Sequence, residues 1–132
     1  LAREMKFEEK VISNFGEGAS FFQLSADVSS GIYVQDALVK MKSENHLQEI
    51  DSFLLKNQVE KKSYLLIATS DLKSDSGMHQ LSVESLVGNY MTNSGIAMHL
   101  ACSYVKKKEY SHVLILNANS ATGMGLILLG HD

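Results

Sequence analysis

An α/β fold, with helices packed on a mixed β-sheet, is the fold class that this 132-residue sequence predicts. Continuous apolar runs at residues 64–68 and 113–116 are bounded by polar residues, which is typical of strands buried on both faces. A helix-period pattern precedes each run, at residues 45–57 and 94–107. Because helices that alternate with apolar strands indicate a layered sheet, we expect one domain of this class.

The N-terminal third of the chain divides into an arm and the start of the domain. Residues 1–14 are charged and weakly amphipathic, and they predict an arm or a short helix ahead of a domain spanning residues 15–132. The apolar residues 21–24 predict a strand, and the Ser- and Asp-rich residues 27–31 predict a turn. Residues 32–41 have β-branched content and partial alternation, so we predict a strand there, although the same residues also fit a helix.

The middle of the chain contains the clearest helix signal. Asn45 is a candidate N-cap for the helix at residues 45–57, with Gln48 at the capping-box spacing. The buried strand at 64–68 follows. Residues 70–93 are polar and predict one long loop, and a loop of that length inside a domain is typical of functional or disordered segments.

The C-terminal third predicts a helix followed by two strands. Small residues open the helix at 94–107, and apolar residues recur along it. The strand at 113–116 is joined to a further strand at 125–129 by a turn at residues 119–123.

Composition excludes several classes of function. The net charge of −3 gives no electrostatic footprint for nucleic acid, and the short run Lys106–Lys108 fits a solvated helix end. No apolar run is long enough for a membrane span, and no secretory signal opens the chain. The single cysteine, Cys102, allows no internal disulfide, which fits the cytoplasm. The chain begins with Leu1 rather than Met, so we expect a processed chain, an incompletely ordered one or a fragment.

Four segments in order resemble the second half of a β-ketoacyl synthase, a condensing enzyme of the thiolase-like fold, together with the last strand of its first half. They are Gly-Glu-Gly-Ala at 16–19, Tyr-Leu-Leu-Ile-Ala-Thr-Ser at 64–70, Ser-Val-Glu-Ser-Leu-Val-Gly-Asn-Tyr-Met-Thr-Asn-Ser-Gly at 82–95, and the turn and strand from Asn117 to Leu129. The resemblance covers residues 15–130. It implies a thiolase-like layered half-fold with a mixed sheet packed by helices.

The same resemblance assigns three positions where such enzymes keep acid–base groups. Thr69 takes the position of the first catalytic histidine, Glu84 that of a lysine, and Asn89 that of the second histidine. Threonine does not titrate near neutral pH, and Glu84 reverses a charge. Asn89 retains the ability to donate a hydrogen bond to an oxyanion. The nucleophilic cysteine of the family belongs to the half that this chain lacks, so we identify no complete catalytic set here.

Other candidate groups are weaker. Asn89, Met91 and Met124 are candidate substrate-binding residues, although each methionine also fits the core. Cys102 lies within a predicted helix among apolar residues, which favours a structural role over a nucleophilic one. The five histidines lack ligand spacing, and we predict neither a metal nor a cofactor.

Three interpretations of function remain open. The first is a β-ketoacyl synthase-like protein of fatty-acid, polyketide or polyene-type biosynthesis that is itself non-catalytic, either a chain-length-factor-like subunit or a catalytically incomplete half. The second is the C-terminal portion of an active, divergent 3-oxoacyl-carrier-protein synthase, an acyltransferase whose cysteine lies upstream. The third is a small α/β interaction module without acyl chemistry.

The resemblance also implies partners. We expect an acyl carrier protein and a homo- or hetero-oligomer with a synthase-like subunit. A half-fold leaves a sheet edge and apolar surface that a partner must bury. For the chain alone, the missing acid–base groups favour a non-catalytic protein over an acyltransferase of the 3-oxoacyl-carrier-protein synthase type, and both interpretations stay open.

Overall fold

The computed structural model describes residues 31–41, 45–70, 79–87, 93–119 and 123–131. In chain order the elements are β1 (Ile32–Lys40), α1 (His46–Lys56), β2 (Tyr64–Ala68), β3 (His79–Ser82), α2 (Val83–Val87), α3 (Asn93–Lys107), β4 (His112–Asn119) and β5 (Gly123–His131). The predicted α/β class is confirmed. None of the helices in these ranges is long and apolar enough to cross a membrane.

The strands form one mixed sheet in the order β1-β5-β4-β2-β3. β4 and β3 both pair parallel to β2, whereas β5 pairs antiparallel to both β4 and β1. β5 therefore runs opposite to the other four strands. Because β2, β3 and β4 are parallel, their carboxyl ends share one edge of the sheet, which we call the carboxyl-terminal edge. The opposite edge, where these strands begin, is called the amino-terminal edge.

Helices cover both faces of the sheet. The face that packs against α1 has its own apolar cluster, and the face that packs against α3 has a second one. Alternate residues of the central strands supply both clusters because successive strand side chains point to opposite faces. Leu66 and Leu114 face α1, while Ile67 and Ile115 face α3. All five residues of β2 are buried, as the unbroken apolar run predicts.

Helix α1 is capped at both ends by its own sequence. The side chain of Asn45 accepts a hydrogen bond from the backbone N–H of Gln48 at 3.2 Å, so the predicted N-cap is confirmed. At the other end Gln58 has a positive φ of 58°. The N–H groups of Gln58 and Val59 donate to the carbonyls of Leu55 and Leu54, the pairing of a Schellman motif.

One glycine requirement fixes the start of β5. Gly123 has φ of +104°, a conformation that favours glycine, and a Cβ there would collide with the carbonyl oxygen of Lys40 in β1. Asn119 and Gly123 are paired across β4 and β5. Both end residues of the turn predicted at 119–123 therefore belong to strands, and residues 120–122 lie outside the described ranges.

The prediction of a single loop over residues 70–93 is wrong. β3, α2 and the first residue of α3 lie within it. β3 has only four residues and is an outer strand of the sheet. Because His79 and Gln80 are exposed, β3 has no continuous apolar run. The helix alternative for residues 32–41 is also wrong, since these residues form β1. The arm at 1–14, the strand at 21–24 and the turn residues 27–30 lie outside the described ranges.

Two adjacent leucines of α1 give a matched test of this packing. Leu54 is 3% exposed and contacts the α1-face cluster, whereas Leu55 is 80% exposed. We expect Leu54→Ala to lower the free energy of unfolding by about 2–5 kcal/mol, because it leaves a cavity in the core. Leu55→Ala makes the same change in helix propensity and should stay within about 0.5 kcal/mol of the parent. Urea unfolding measures both, and equal losses would contradict the assignment of the buried face.

Candidate functional site at the carboxyl-terminal edge

The carboxyl-terminal edge brings the ends of three parallel strands together. The register pairs Ala68 of β2 with Ser82 of β3 on one side and with Leu116 of β4 on the other. In open α/β sheets, ligands bind outside the carboxyl ends of the strands. The residues that immediately follow these pairs are therefore the first place to look for a site.

Thr69 extends the parallel ladder by one residue beyond β2. Its backbone N–H donates to the carbonyl oxygen of Leu116 at 3.0 Å. Its hydroxyl donates to Oδ1 of Asn117 at 3.2 Å. The residue is only 7% exposed. Backbone and side chain therefore both attach Thr69 to the end of β4.

Asn93 connects the start of α3 to the same place. It is the first residue of α3 and is 6% exposed. Its side-chain Nδ2 donates to the backbone carbonyl oxygen of Thr69 at 3.3 Å. A buried amide that bonds to backbone fixes the position of a helix relative to a strand more tightly than apolar contact alone. Thr69, Asn93 and Asn117 thus form one polar cluster, which we call the Thr69 cluster.

Glu84 also lies past the end of a strand at this edge. It is half-buried in the first turn of α2, two residues after Ser82 ends β3. The hydroxyl of Ser82 accepts a hydrogen bond from the N–H of Ser85 at 3.2 Å, which anchors the start of α2 to β3. The short strand β3 and the short helix α2 together hold Glu84 near the carboxyl-terminal edge.

Met124 occupies a different environment from Thr69. It is buried among the apolar residues of the α1 face, whereas Thr69 and Asn117 continue the α3 face of β2 and β4 because of the strand alternation. The structure does not bring this methionine to the Thr69 cluster. Asn89 and Met91, the other two predicted substrate-binding residues, fall in the segment 88–92, beyond the described ranges.

The Thr69 cluster contains hydrogen-bonding groups only. A hydroxyl and two amides donate and accept hydrogen bonds, but none of them transfers a proton near neutral pH. Such a set binds and orients a polar group such as a carbonyl or an amide. The sequence analysis did not identify Asn93 or Asn117 as site residues. For Asn117 a signal existed, because it directly follows the apolar run 113–116 as Thr69 follows 64–68.

Cys102 lies in the middle of α3, nine residues after Asn93. Burial raises the pKa of the Cys102 thiol, and the residue packs beside the α3-face apolar cluster. This agrees with the structural role predicted for it. Within the described residues, no three side chains of His, Cys, Asp or Glu come together as a metal site requires.

A second polar network lies at the amino-terminal edge. His112 Nε2 and Gln35 Oε1 are 2.8 Å apart, and the Gln35 amide nitrogen donates to Oδ1 of Asn57 at 3.4 Å. Since the amide oxygen of Gln35 only accepts, His112 Nε2 carries the hydrogen. Ser111 Oγ lies 2.9 Å from His112 Nδ1 and 3.0 Å from the carbonyl oxygen of Ser63. β1, α1, β2 and β4 are therefore joined by polar contacts here.

An acidic residue completes this network. Asn57 Nδ2 donates to Asp36 at 3.0 Å, and Lys56 Nζ lies 3.4 Å from the same carboxylate oxygen. The hydrogen bond from Asn57 lowers the pKa of Asp36, and Ala37 and Lys56 act in the same direction. Asp36 is therefore a carboxylate in the network at neutral pH.

Replacing the Thr69 hydroxyl tests the cluster. Thr69→Val keeps the shape of the side chain but removes the donor to Asn117, and we expect a loss of about 1 kcal/mol of unfolding free energy. Thr69→Ser keeps the hydroxyl and should therefore lose less unfolding free energy than Thr69→Val. In an Asn117→Ala background the cost of Thr69→Val should fall by about 0.5 kcal/mol or more, measured by a double-mutant cycle in urea. A coupling of zero would contradict the hydrogen bond.

The amino-terminal network predicts a pH dependence. Burial lowers the pKa of His112 below its ordinary value of 6.5, and the charge of His131 lowers it further. The unfolded chain then binds the proton more readily than the folded one. We therefore expect unfolding free energy to fall as the pH drops below about 6.5. Urea unfolding at about pH 7.5 and pH 5.5 measures this.

A histidine replacement provides the control for this pH dependence. His112→Gln should flatten the curve between the two pH values, since the titrating group is gone. His46→Gln changes a histidine outside the network and should keep the pH dependence of the unfolding free energy. If the His112→Gln curve retains the full slope of the parent, the assignment of the effect to His112 is wrong.

The comparisons with known proteins give no relative for this chain. It matches no protein-family model, no curated protein and no solved structure. A functional proposal for this protein therefore depends on its own sheet, on the Thr69 cluster and on the motifs in its sequence.

Proposed function

We propose that this chain is a β-ketoacyl synthase-like half that forms one wall of an acyl pocket and supplies no acid–base catalyst. The observation that supports this proposal most directly is the burial and hydrogen bonding of the Thr69 side chain. At the position where the resemblance expects an imidazole, there is a buried hydroxyl that donates to Asn117 at 3.2 Å. The chain would act with a synthase-like subunit, in the cytoplasm, in the assembly of fatty-acid, polyketide or polyene-type chains.

The architecture supports the proposal. A layered mixed sheet with helices on both faces is what the resemblance implies, and the five-stranded sheet between α1 and α3 has that form. Two of the segments that carry the resemblance end or begin at the carboxyl-terminal edge, namely β2 with Thr69 and the end of β4 with Asn117. Of the three positions that the resemblance relates to catalysis, Thr69 and Glu84 both lie at this edge.

The chemistry of the edge argues for a binding role. Decarboxylative condensation requires hydrogen-bond donors that stabilise a developing enolate oxygen, and usually imidazoles. The hydroxyl proton of Thr69 is already donated to Asn117. Glu84 adds a carboxylate near the same edge, which disfavours a developing anion. These groups suit the binding of a neutral carbonyl or amide, such as those along a carrier-bound acyl chain.

Exposed apolar side chains on β1 support the expected oligomer. β1 is an edge strand, and Tyr33, Val34 and Val39 are exposed on it, with Met41 directly after it. Exposed apolar groups on an outer strand of a sheet are typical of surfaces that a partner covers. A synthase-like subunit that brings the cysteine nucleophile is the partner that this function requires.

A titration with an acyl carrier protein tests the proposal. Amide resonances of Thr69, Asn93 and Asn117 should shift when a carrier protein loaded with a medium-chain acyl group is added to the isotope-labelled chain. The unloaded carrier protein should shift them less. Asn117→Ala should weaken the acyl-dependent binding by about fivefold, the value of one hydrogen bond. The matched change Asn57→Ala at the amino-terminal edge should leave it unchanged.

Two results would overturn the proposal in different ways. No shift at the Thr69 cluster with the loaded carrier protein would favour an interaction module without acyl chemistry. Decarboxylation of a malonyl-loaded carrier protein by the chain alone, lost in Thr69→Val, would make the chain a catalyst rather than a pocket wall. The proposal expects release of carbon dioxide at the rate of the carrier protein alone.

A further inference from the structure

A serine and a histidine lie within hydrogen-bonding distance of each other at the amino-terminal edge, where β4 begins. Ser111 Oγ lies 2.9 Å from Nδ1 of His112, which is the next residue and the first of β4. Ser111 is exposed, whereas His112 is half-buried. A hydroxyl beside an imidazole is the arrangement of a nucleophile and its general base when a third group orients the imidazole. Whether the nitrogen that faces Ser111 accepts a proton therefore decides what this pair does.

A carboxylate fixes the orientation of the two amides next to this pair. Asp36 only accepts hydrogen bonds, so the side-chain atom of Asn57 that lies 3.0 Å from it is the nitrogen Nδ2. The same nitrogen donates to the carbonyl oxygen of Phe53 at 2.9 Å, which also only accepts. Oδ1 of Asn57 then faces Gln35, whose Nε2 donates to it at 3.4 Å. The other polar atom of the Gln35 amide, Oε1, consequently faces His112.

This chain of amides fixes the tautomer of His112. Oε1 of Gln35 lies 2.8 Å from Nε2 of His112 and only accepts, so Nε2 carries the hydrogen. In the neutral ring Nδ1 then has a lone pair that accepts a proton. Burial, and after it the charge of His131, lowers the pKa of His112, so the ring is neutral at neutral pH. The nitrogen that faces Ser111 is therefore the basic one.

The hydroxyl proton of Ser111 is available to this base. Two acceptors lie near the hydroxyl, namely His112 Nδ1 at 2.9 Å and the carbonyl oxygen of Ser63 at 3.0 Å. The Ser63 carbonyl already accepts the backbone N–H of Ser111 at 2.8 Å. The hydroxyl is thus free to donate to Nδ1, while the backbone bond to Ser63 holds Ser111 in place.

We propose that Ser111 is a nucleophile for activated acyl groups and that His112 is its general base. The amides of Gln35 and Asn57 act as positioning residues, because they orient the imidazole without touching the substrate. Ser111 is exposed, so a small activated ester or thioester reaches it from solvent. The proposal does not rest on the acyl pocket proposed above, because the Thr69 cluster lies at the opposite edge of the sheet.

The reaction is acyl transfer to the serine followed by hydrolysis. Oγ of Ser111 forms a bond to the acyl carbon while Nδ1 of His112 takes the hydroxyl proton. The bond from the acyl carbon to the leaving oxygen or sulfur then breaks, and the leaving group takes the proton from Nδ1. A water molecule, deprotonated by the same nitrogen, attacks the acyl carbon, which releases a carboxylic acid and restores Ser111. The Nε2–H of His112 stays bonded to Gln35 in both steps.

An activated ester tests the site on the intact chain. With p-nitrophenyl acetate we expect release of p-nitrophenolate and an acetyl group on Ser111, located by mass spectrometry of its peptides. Ser111→Ala and His112→Gln should each slow the release about a hundredfold, the low end of what a positioned general base contributes. Ser103→Ala is the matched control, since it removes an exposed serine of α3 outside this network, and it should keep the rate of the parent.

The imidazole nitrogens give a separate readout of the positioning residues. Nitrogen NMR distinguishes a ring nitrogen that carries hydrogen from one that does not, so His112 should show the Nε2–H tautomer alone at neutral pH. Gln35→Leu should give a mixture of both tautomers and slow the ester reaction about tenfold, because the base is no longer held in one orientation. An unchanged tautomer in this variant would overturn the positioning role. Acetyl groups on lysines only, or acetylation of Ser111 at the parent rate in His112→Gln, would overturn the proposal.

Discussion

The parallel pairing of β2 with β4 is the interaction on which the rest of this structure depends. It places the apolar strand β2 beside the apolar residues 113–116 of β4 in the middle of the sheet, so that each face receives a row of buried side chains. α1 and α3 each cover one of these rows. The same pairing continues past the end of β2, where the N–H of Thr69 donates to the carbonyl of Leu116. Core and candidate site are therefore parts of one ladder.

The ladder of β2 and β4 runs from the amino-terminal edge of the sheet to the carboxyl-terminal edge, and these two edges differ in chemistry. At the carboxyl-terminal edge, Thr69, Asn93 and Asn117 form a neutral cluster of hydrogen-bonding groups. At the amino-terminal edge, the Ser63–Ser111 contact lies beside a titratable histidine, His112. The proposed acyl pocket lies at the neutral, carboxyl-terminal edge.

Periodicity in the sequence predicted the elements whose burial is uniform. The run 64–68 is β2 residue for residue, and the Asn45 cap has the predicted geometry. β3 escaped prediction because a short edge strand with exposed residues has no apolar pattern. The Thr69 cluster escaped because its partners are far apart in the chain, and only the register of β2 against β4 brings Thr69 beside Asn117. The identity of Thr69 as a special position came from the family resemblance, which the geometry neither requires nor excludes.

Hydrogen exchange at the Thr69 amide tests the central claim most directly, because that N–H is the last link of the ladder and sets the candidate site. If the ladder extends beyond β2 as described, the Thr69 amide exchanges with solvent as slowly as the amides of β2 itself, since both open only with the sheet. Exchange of the Thr69 amide at the rate of an exposed loop, while β2 remains protected, would contradict the account. The Thr69 cluster would then not be a fixed feature of the folded chain.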